Sequence, residues 1–450
     1  MLHAKAPLAA ACFSSLLLSA CAHYTRLPLD THAHYAPSVA ALHGAPAQAA
    51  PLDEADVVRL VLQNNPSLQT SALRTQEARM QGDAAARPPN PSFAGSLGYL
   101  ISGAGNATAW TAALSQPVNG WITLRARRDE ARASVAEVDA TLAWEAWQAV
   151  AKARQLYASI LLNETLQAVQ IDTAAILQRQ AQAMQAALAR GDVDMASVAP
   201  IALATSEATL ARDETGRTLL AQQRELHALL GLSSSAPLEL GPLPTLAPLD
   251  AAAMAQAIDD LPRHRPDLVA LAMGYDAQDA RFRAAVLSQF PALTLGYDAS
   301  QDNSKVRNGG PAASIDLPVF DTGRAGAAAS EATRQRLHDE YAARIADATD
   351  EAAALLRANH ADASPEAADT SQPSAPTTTA FSLNDPSTPA ARALARGDID
   401  RAAYTDLAIA SLARRAAVVR TELALREQRI GLEALLGIGM PAFDIDTKVH

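Results

Sequence analysis

The chain has 450 residues, 49% of them hydrophobic but only 4% aromatic, and a formal charge of −11 from 37 basic and 48 acidic side chains. Alanine must supply much of that hydrophobic share, and because alanine is the best helix former and lets helices approach closely, the composition points to long packed helices and away from a compact enzyme core. The acidic balance, without a basic cluster interleaved with aromatics, excludes nucleic acid as a partner, and a complement of two cysteines, Cys12 and Cys21, excludes a CxxC metal site or a disulfide framework.

Residues 1–20 read as a secretory signal: Lys5 supplies positive charge, an apolar stretch follows, and small residues close it. Leu18-Ser19-Ala20-Cys21 resembles the bacterial lipobox, which implies that Cys21 becomes the acylated first residue of the mature chain and that Cys12 leaves with the signal. Residues 21–50 are rich in Ala, Pro and His without periodicity and are expected to form an extended, solvated tether. His23, His32, His34 and His43 lie in it, with no acidic or cysteine partner to fix a metal geometry, so neither a metal site nor a cofactor is expected. Beyond residue 21 no apolar run reaches the ~18 residues of a membrane-spanning helix.

The mature chain is two copies of one unit. ALARGDVDMASVAPIALA (187–204) and ALARGDIDRAAYTDLAIA (393–410) align at an offset of 206, which continues without a gap to the ALLG of 228–231 and 434–437. Asn65-Pro66-Ser67-Leu68 matches Arg265-Pro266-Asp267-Leu268, and Pro91 matches Pro291, both at offset 200. Gln116-Pro117-Val118 matches Leu317-Pro318-Val319 at offset 201. The boundaries that follow are a first repeat at 51–231, a linker at 232–250, a second repeat at 251–438 and a tail at 439–450.

Within each unit a helix is predicted to start near Pro66 or Pro266, where proline's missing N–H costs nothing, and to stop before Pro91 or Pro291. A β-hairpin follows. Phe93, Gly95, Leu97 and Tyr99 share a face of one strand, and Trp110, Ala112 and Leu114 a face of its partner. In the second unit the strands carry Leu293, Leu295 and Tyr297, then Ala313, Ile315 and Leu317, with SQDNSKVRNGG as the exposed loop between them. Residues 121–190 then run for 70 positions without Gly or Pro, with apolar residues three and four apart, which predicts a helix about 100 Å long. Arg190-Gly191-Asp192 breaks it: Gly takes a left-handed C-cap and Asp starts the returning helix, so the two arms form an antiparallel hairpin. Arg396-Gly397-Asp398 does the same in the second unit. There the matching arm is interrupted at 358–390 by Pro365, Pro373, Pro376, Pro386 and Pro389 among Ser, Thr and Asp, which predicts a non-helical segment.

This duplicated order resembles the TolC-like family of bacterial outer-membrane efflux proteins, lipoprotein type. The residues that carry the resemblance are RPDL (265–268), LPVFDTGR (317–324), the two ALARGD turns and the two ALLG ends. It implies a mainly α fold with β-hairpins, in which three protomers assemble a 12-stranded β-barrel continued by a periplasmic α-helical tunnel. It implies as partners further copies of the chain, outer-membrane lipid, a periplasmic adaptor and an inner-membrane pump. It also implies site residues. Arg190, Gly191, Asp192, Arg396, Gly397 and Asp398 would be the adaptor-docking tips, and Asp406, matched by Pro200 in the first copy, a candidate for a charged ring at the tunnel entrance. Tyr99, Trp110 and Tyr297 are candidates for the aromatic girdle. The NPSF run after Pro88-Pro89 and ALSQPV are similar to members serving divalent-cation pumps, and drugs or other small organics remain open as cargo. No HExxH, GxxxxGK[ST], GxSxG or strand-to-helix GxGxxG occurs, so no catalytic residue is expected. The alternative from a different class is a non-conducting, lipid-anchored structural protein.

Overall fold

The computed structural model describes residues 24–32, 34–46, 51–103, 105, 107–246, 251–362 and 389–438. Cys21, the signal, the tail at 439–450 and the greater part of 358–390 lie outside the described residues. The first repeat contains α1 (Glu54–Asn64), α2 (Pro66–Ala85), β1 (Ser92–Gly98), β2 (Ala109–Pro117), a short α3 (Asn119–Ile122), α4 (Leu124–Arg190) and α5 (Met195–Leu230). The second contains α6 (Ala251–Asp259), α7 (Leu261–His264), α8 (Pro266–Leu287), β3 (Leu293–Gln301), β4 (Arg307–Ile315), α9 (Arg324–Asp362), α10 (Pro389–Arg396) and α11 (Arg401–Leu436).

Both predicted proline starts are helix starts. Asn65 caps α2, its Oδ1 accepting from the Ser67 and Leu68 amides at 2.9 and 3.1 Å, with Pro66 in the first turn. Its counterpart Arg265 caps nothing. It is buried, donates to Asp267 at 2.8 Å and lies 5.3 Å from the Trp144 ring centroid, so this corner is held by an ion pair and a cation–π contact instead.

Helix α4 has 67 residues, about 100 Å at 1.5 Å per residue. It is the spine against which α5, α8 and α11 pack. One core lies where α1 meets it, formed by Val57, Leu60, Val61, Leu156, Tyr157, Ile160, Leu226 and Leu230. A second, with Leu261, Leu268, Ala348, Ala352, Leu432 and Leu436, closes the second repeat. Leu166, Val169 and Ile176 of α4 meet Ala408, Leu412 and Ala416 of α11, which ties the repeats together along the two helices. Alanine at several contact positions permits this close approach, as its abundance implied. An ionic link does the same work at the core's edge. Arg154 on α4 donates to Glu54 at 2.5 Å and to Glu433 on α11 at 2.7 Å, and Arg429 donates to Glu433 at 2.6 Å. Burial pushes the Glu433 carboxyl up, but these hydrogen bonds outweigh it and hold the group below its ordinary value.

Tyr157 is fully buried, and its hydroxyl donates to the Gly241 carbonyl at 2.9 Å with the Pro242 carbonyl at 3.2 Å. Tyr157→Phe is expected to cost about 1–3 kcal/mol, because it leaves the buried Gly241 carbonyl without its donor. Burial, with Asp53 and Glu54 nearby, pushes the Tyr157 phenol up to about 12 from 10.0. The unfolded chain therefore ionises first as pH rises, and the stabilising effect of neutral Tyr157 is present below pH 10 and lost as pH climbs towards 12. In denaturant titrations the gap between wild type and Tyr157→Phe should narrow across that window.

Several expectations need correction. The tether is not wholly solvated: the Ala36 amide donates to Gly231 O at 2.9 Å, Leu42 is buried, and Leu52 and Leu240 form a bridge, so tether and linker pack on the first repeat. The loop taken as 300–310 is shorter, since β3 runs to Gln301 and β4 begins at Arg307; the polar run pairs because Asp302 closes a tight turn by accepting from the Ser304 and Val306 amides. Tyr99 and Leu317 fall just beyond strand ends. The segment predicted as non-helical loses both margins: α9 continues to Asp362, where no proline yet interrupts it, and α10 opens at Pro389, a position that tolerates proline.

Candidate functional site

The four strands form one antiparallel sheet in the order β1-β2-β3-β4. The register sorts its residues by face. Phe93 lies opposite Leu114, which lies opposite Tyr297, and Tyr297 opposite Pro311; Leu97, Trp110, Ala112, Leu295, Ala313 and Ile315 are on that same side. The other side carries Ser92, Ser96, Thr111, Ala113, Ser115, Thr294, Asp298, Ser300, Asn308 and Ser314. Hydroxyl pairs knit it, Ser92 with Ser115 and Ser96 with Thr111, each at 2.7 Å. One face is therefore apolar along its middle, with Gln116 at one end and Gln301 and Arg307 at the other, and the other face is small and polar, with Asp298 its single carboxylate among the described residues. Phe93, Leu97, Leu114 and Tyr297 are all more than half exposed, so nothing in one protomer covers the apolar face. Among the described residues β1 and β4 each have a partner on one side only.

Of the girdle candidates, Trp110 sits near the loop end of β2 and Tyr99 just past β1, both at the hairpin end. Tyr297 lies at the centre of β3, the depth of a mid-strand ring. Sequence reasoning missed a second set at the opposite end. Phe93, Trp121, Phe290 and Phe320 are exposed where the strands meet the helices. Their signal was available as single aromatics at each strand–helix junction, but it has no period to detect.

At the far end of α4, Gly191 has φ 77° and Gly397, at the end of α10, has φ 78°. Both turns close alike. The Asp192 amide donates to Ala187 O and the Asp398 amide to Ala393 O, each at 2.9 Å. Arg190 donates to Asp192 at 2.8 Å and Arg396 to Asp398 at 2.9 Å, so the aspartates expected to start the returning helices hold the arginines instead. The caps are Asp194 and Asp400, which accept from the Ser197 and Ala403 amides at 2.9 and 2.7 Å. The two turns thus present the same exposed guanidinium–carboxylate pair. Asp406 is exposed on α11, shortly after that cap, and Pro200 occupies the matching place inside α5.

Near the amino terminus the structure supplies an acidic neighbour that the sequence reading left out: Asp30 accepts from the His32 amide at 3.1 Å and contacts His34. Among the described residues no group of three His, Cys, Asp or Glu converges as metal ligands would. Among them, too, no helix is long and apolar enough to cross a membrane.

Residues 57–232 match the family model described as outer membrane efflux protein. No curated protein matches the sequence at a significant level. Solved structures match nearly the whole chain in fold. A membrane protein from Pseudomonas aeruginosa is similar at 20% identity and TM-score 0.66, over 93% of this chain and 98% of its own. CusC, from work on its folding and transmembrane channel formation, is similar at 19% identity and TM-score 0.59, over 93% and 99%. The open state of the MtrE outer membrane channel of Neisseria gonorrhoeae is similar at 17% identity and TM-score 0.60, over 92% and 97%. Residues 57–232 thus match the outer membrane efflux protein family, the second repeat is built on the same plan, and nearly the whole chain has the fold of these solved structures.

Proposed function

We propose that the chain is one third of an outer-membrane efflux duct, which receives substrates from a periplasmic adaptor and inner-membrane pump and releases them outside. The observation that carries this is the two-faced, four-stranded sheet with open edges, set on a helical bundle whose longest member, α4, is about 100 Å long. Strands of seven to nine residues come close to the ~9–11 that span a bilayer. Lipid tolerates no open edge, and four strands cannot close on themselves, so β4 of one copy pairs with β1 of the next until the ring shuts. Three copies give 12 strands, with apolar residues outward to lipid and Ser, Thr and Asp298 inward to water.

The helical arms carry the duct into the periplasm, and the paired Arg190–Asp192 and Arg396–Asp398 turns are the surface offered to the adaptor. Cys21 carries the lipid that anchors the assembled protein in the outer membrane. Cys21→Ser should abolish fatty-acid labelling and leave unprocessed precursor; labelling that persists in the variant removes the anchor from this account. The duct itself is tested by single-channel recording of the purified protein in a planar bilayer. Stepwise conductance is expected, and a properly assembled trimer that passes no current would mark it as a structural, lipid-anchored relative.

A further inference from the structure

The two hairpins differ in charge in a way that neither the duct nor the tips require. From Pro88 to Leu124 the chain has no acidic or basic side chain, and from Ala284 to Gly323 its only basic residues are Lys305 and Arg307. Both lie at the loop end of the β3–β4 hairpin, which faces outside in the proposed duct. We infer that this rim binds the phosphorylated headgroup of a glycolipid in the outer leaflet, with Lys305 and Arg307 as the phosphate-binding cations beside Trp110. This rests on the proposed duct, because only a sheet that crosses the outer membrane brings its loop end to that leaflet.

The register places Arg307 on the lipid side. It lies directly opposite Gln301, which lies opposite Trp110, so the three form one row across β4, β3 and β2 at the edge of the apolar face. Four positions along β4 from Arg307 is Pro311, which pairs with Tyr297 at mid-strand. At about 3.4 Å per residue, on strands tilted by about 35–45°, that separation is roughly 10 Å of depth, against about 12 Å for half of the apolar band. The guanidinium therefore stands where hydrocarbon gives way to headgroups. Its Nε donates to Gln301 Oε1 at 3.0 Å, which orients the fork and leaves both Nη atoms for a phosphate.

Lys305 holds its place against a backbone preference. At φ 68° it is, among the described residues, the only one other than glycine in the left-handed region. The turn dictates that conformation. Asp302 Oδ1 accepts from the Ser304 and Val306 amides at 2.8 and 2.9 Å, and the Asp302 amide donates to Val306 O at 3.0 Å. The Asn303 side chain fastens the turn to the first hairpin's loop by donating to Ala107 O at 3.0 Å. Glycine or asparagine would sit at 305 with less strain, and strain held in place by its surroundings is a mark of ligand-binding loops. Lysine there adds a second exposed cation two positions from Arg307. Asp302 is the one carboxylate in the turn, and its Oδ1 is committed to the amides, so the rim keeps a net positive charge. The helix end of β4 is the reverse: Asp316 and Asp321 follow the strand, and no basic residue occurs before Arg324. A phosphate is matched at the outer end only, and the acyl chains below it would lie on the exposed apolar face.

Native mass spectrometry of the full-length trimer in a mild detergent, titrated with bis-phosphorylated lipid A, tests the rim. Adducts should saturate at three per trimer, one for each rim. Lys305→Gln with Arg307→Gln should lower their population by about five-fold or more, whereas Lys305→Arg with Arg307→Lys should retain it. Arg125→Gln, at the helix end of the sheet, should leave binding unchanged. Lipid A stripped of its phosphates should bind as poorly as the intact lipid binds the double Gln variant. Trimers of that variant that bind intact lipid A like the wild type, or wild-type trimers that bind the stripped lipid equally well, would overturn the site while leaving the duct intact. Phosphatidylglycerol binding that falls by the same factor in the double Gln variant would make the rim an unselective anionic-lipid site and overturn the glycolipid assignment. A protein that stays monomeric would overturn the duct and the rim together.

Discussion

Leu114→Arg should abolish assembly in the outer membrane, while Ala113→Arg, one residue away, should leave insertion and trimerisation intact. The two positions are adjacent in β2 and therefore point to opposite sides of the sheet. Leu114 lies between Phe93 and Tyr297 on the apolar face, near mid-strand, and is 54% exposed with no protein to cover it. A basic side chain on the lipid face near the midplane costs about 2–4 kcal/mol per copy, and a symmetric trimer carries the cost three times. That sum is comparable to the whole stability of a typical folded domain, roughly 5–15 kcal/mol. Ala113 lies between Ala94 and Asp298 on the polar face, so arginine there meets water and a carboxylate on the facing strand. Membrane fractionation followed by heat-modifiable migration on gels reads both variants. Equal loss in the two would mean that the sheet has no lipid side, and equal tolerance would mean that it never enters lipid.

The contrast depends on a feature only half legible in the chain. Alternation marked Phe93, Leu97 and Leu114 as one face within their hairpin, and Leu293, Leu295 and Tyr297 within theirs, because a strand's period is two and needs no partner to be seen. That the two hairpins join through β2 and β3, and in which register, is a long-range fact that no local pattern encodes. The Gly turns were legible because a left-handed C-cap has a strong residue preference and occurred twice. The capping aspartate was misread by two positions, since Asp192 and Asp194 differ only in where the returning helix takes up its first turn. The second long arm was read too pessimistically at both margins, because prolines at 365 and beyond say nothing against helix through Asp362. The inner aromatic set was missed for a different reason: Phe93, Trp121, Phe290 and Phe320 are far apart in sequence and become neighbours in depth only once the strands are aligned.

The tips give the other large effect. Gly191→Val and Gly397→Val together should remove efflux complementation while trimers still form and insert. At φ 77° and 78° both glycines occupy the left-handed region, and a Cβ built at either meets nothing within 4 Å. Space is therefore not the obstacle. The cost is conformational, roughly 1–2 kcal/mol for an ordinary side chain and more for a β-branched one. A turn under that strain relaxes by changing its backbone, which shifts Asp192 and Asp398 away from Arg190 and Arg396 and breaks the identical pair each tip presents. The buried core around Tyr157 and Leu226 lies more than thirty residues along α4 and α5 from Gly191, too far to feel a local change in the turn. Asparagine separates geometry from bareness, because it tolerates the left-handed region better than other side chains. If the shape of the turn is what the adaptor reads, Gly191→Asn with Gly397→Asn should restore a large part of the efflux that valine removes. If the adaptor needs a bare backbone at the tip, both sets will fail alike, and if valine leaves efflux unchanged, the tips are not the docking surface.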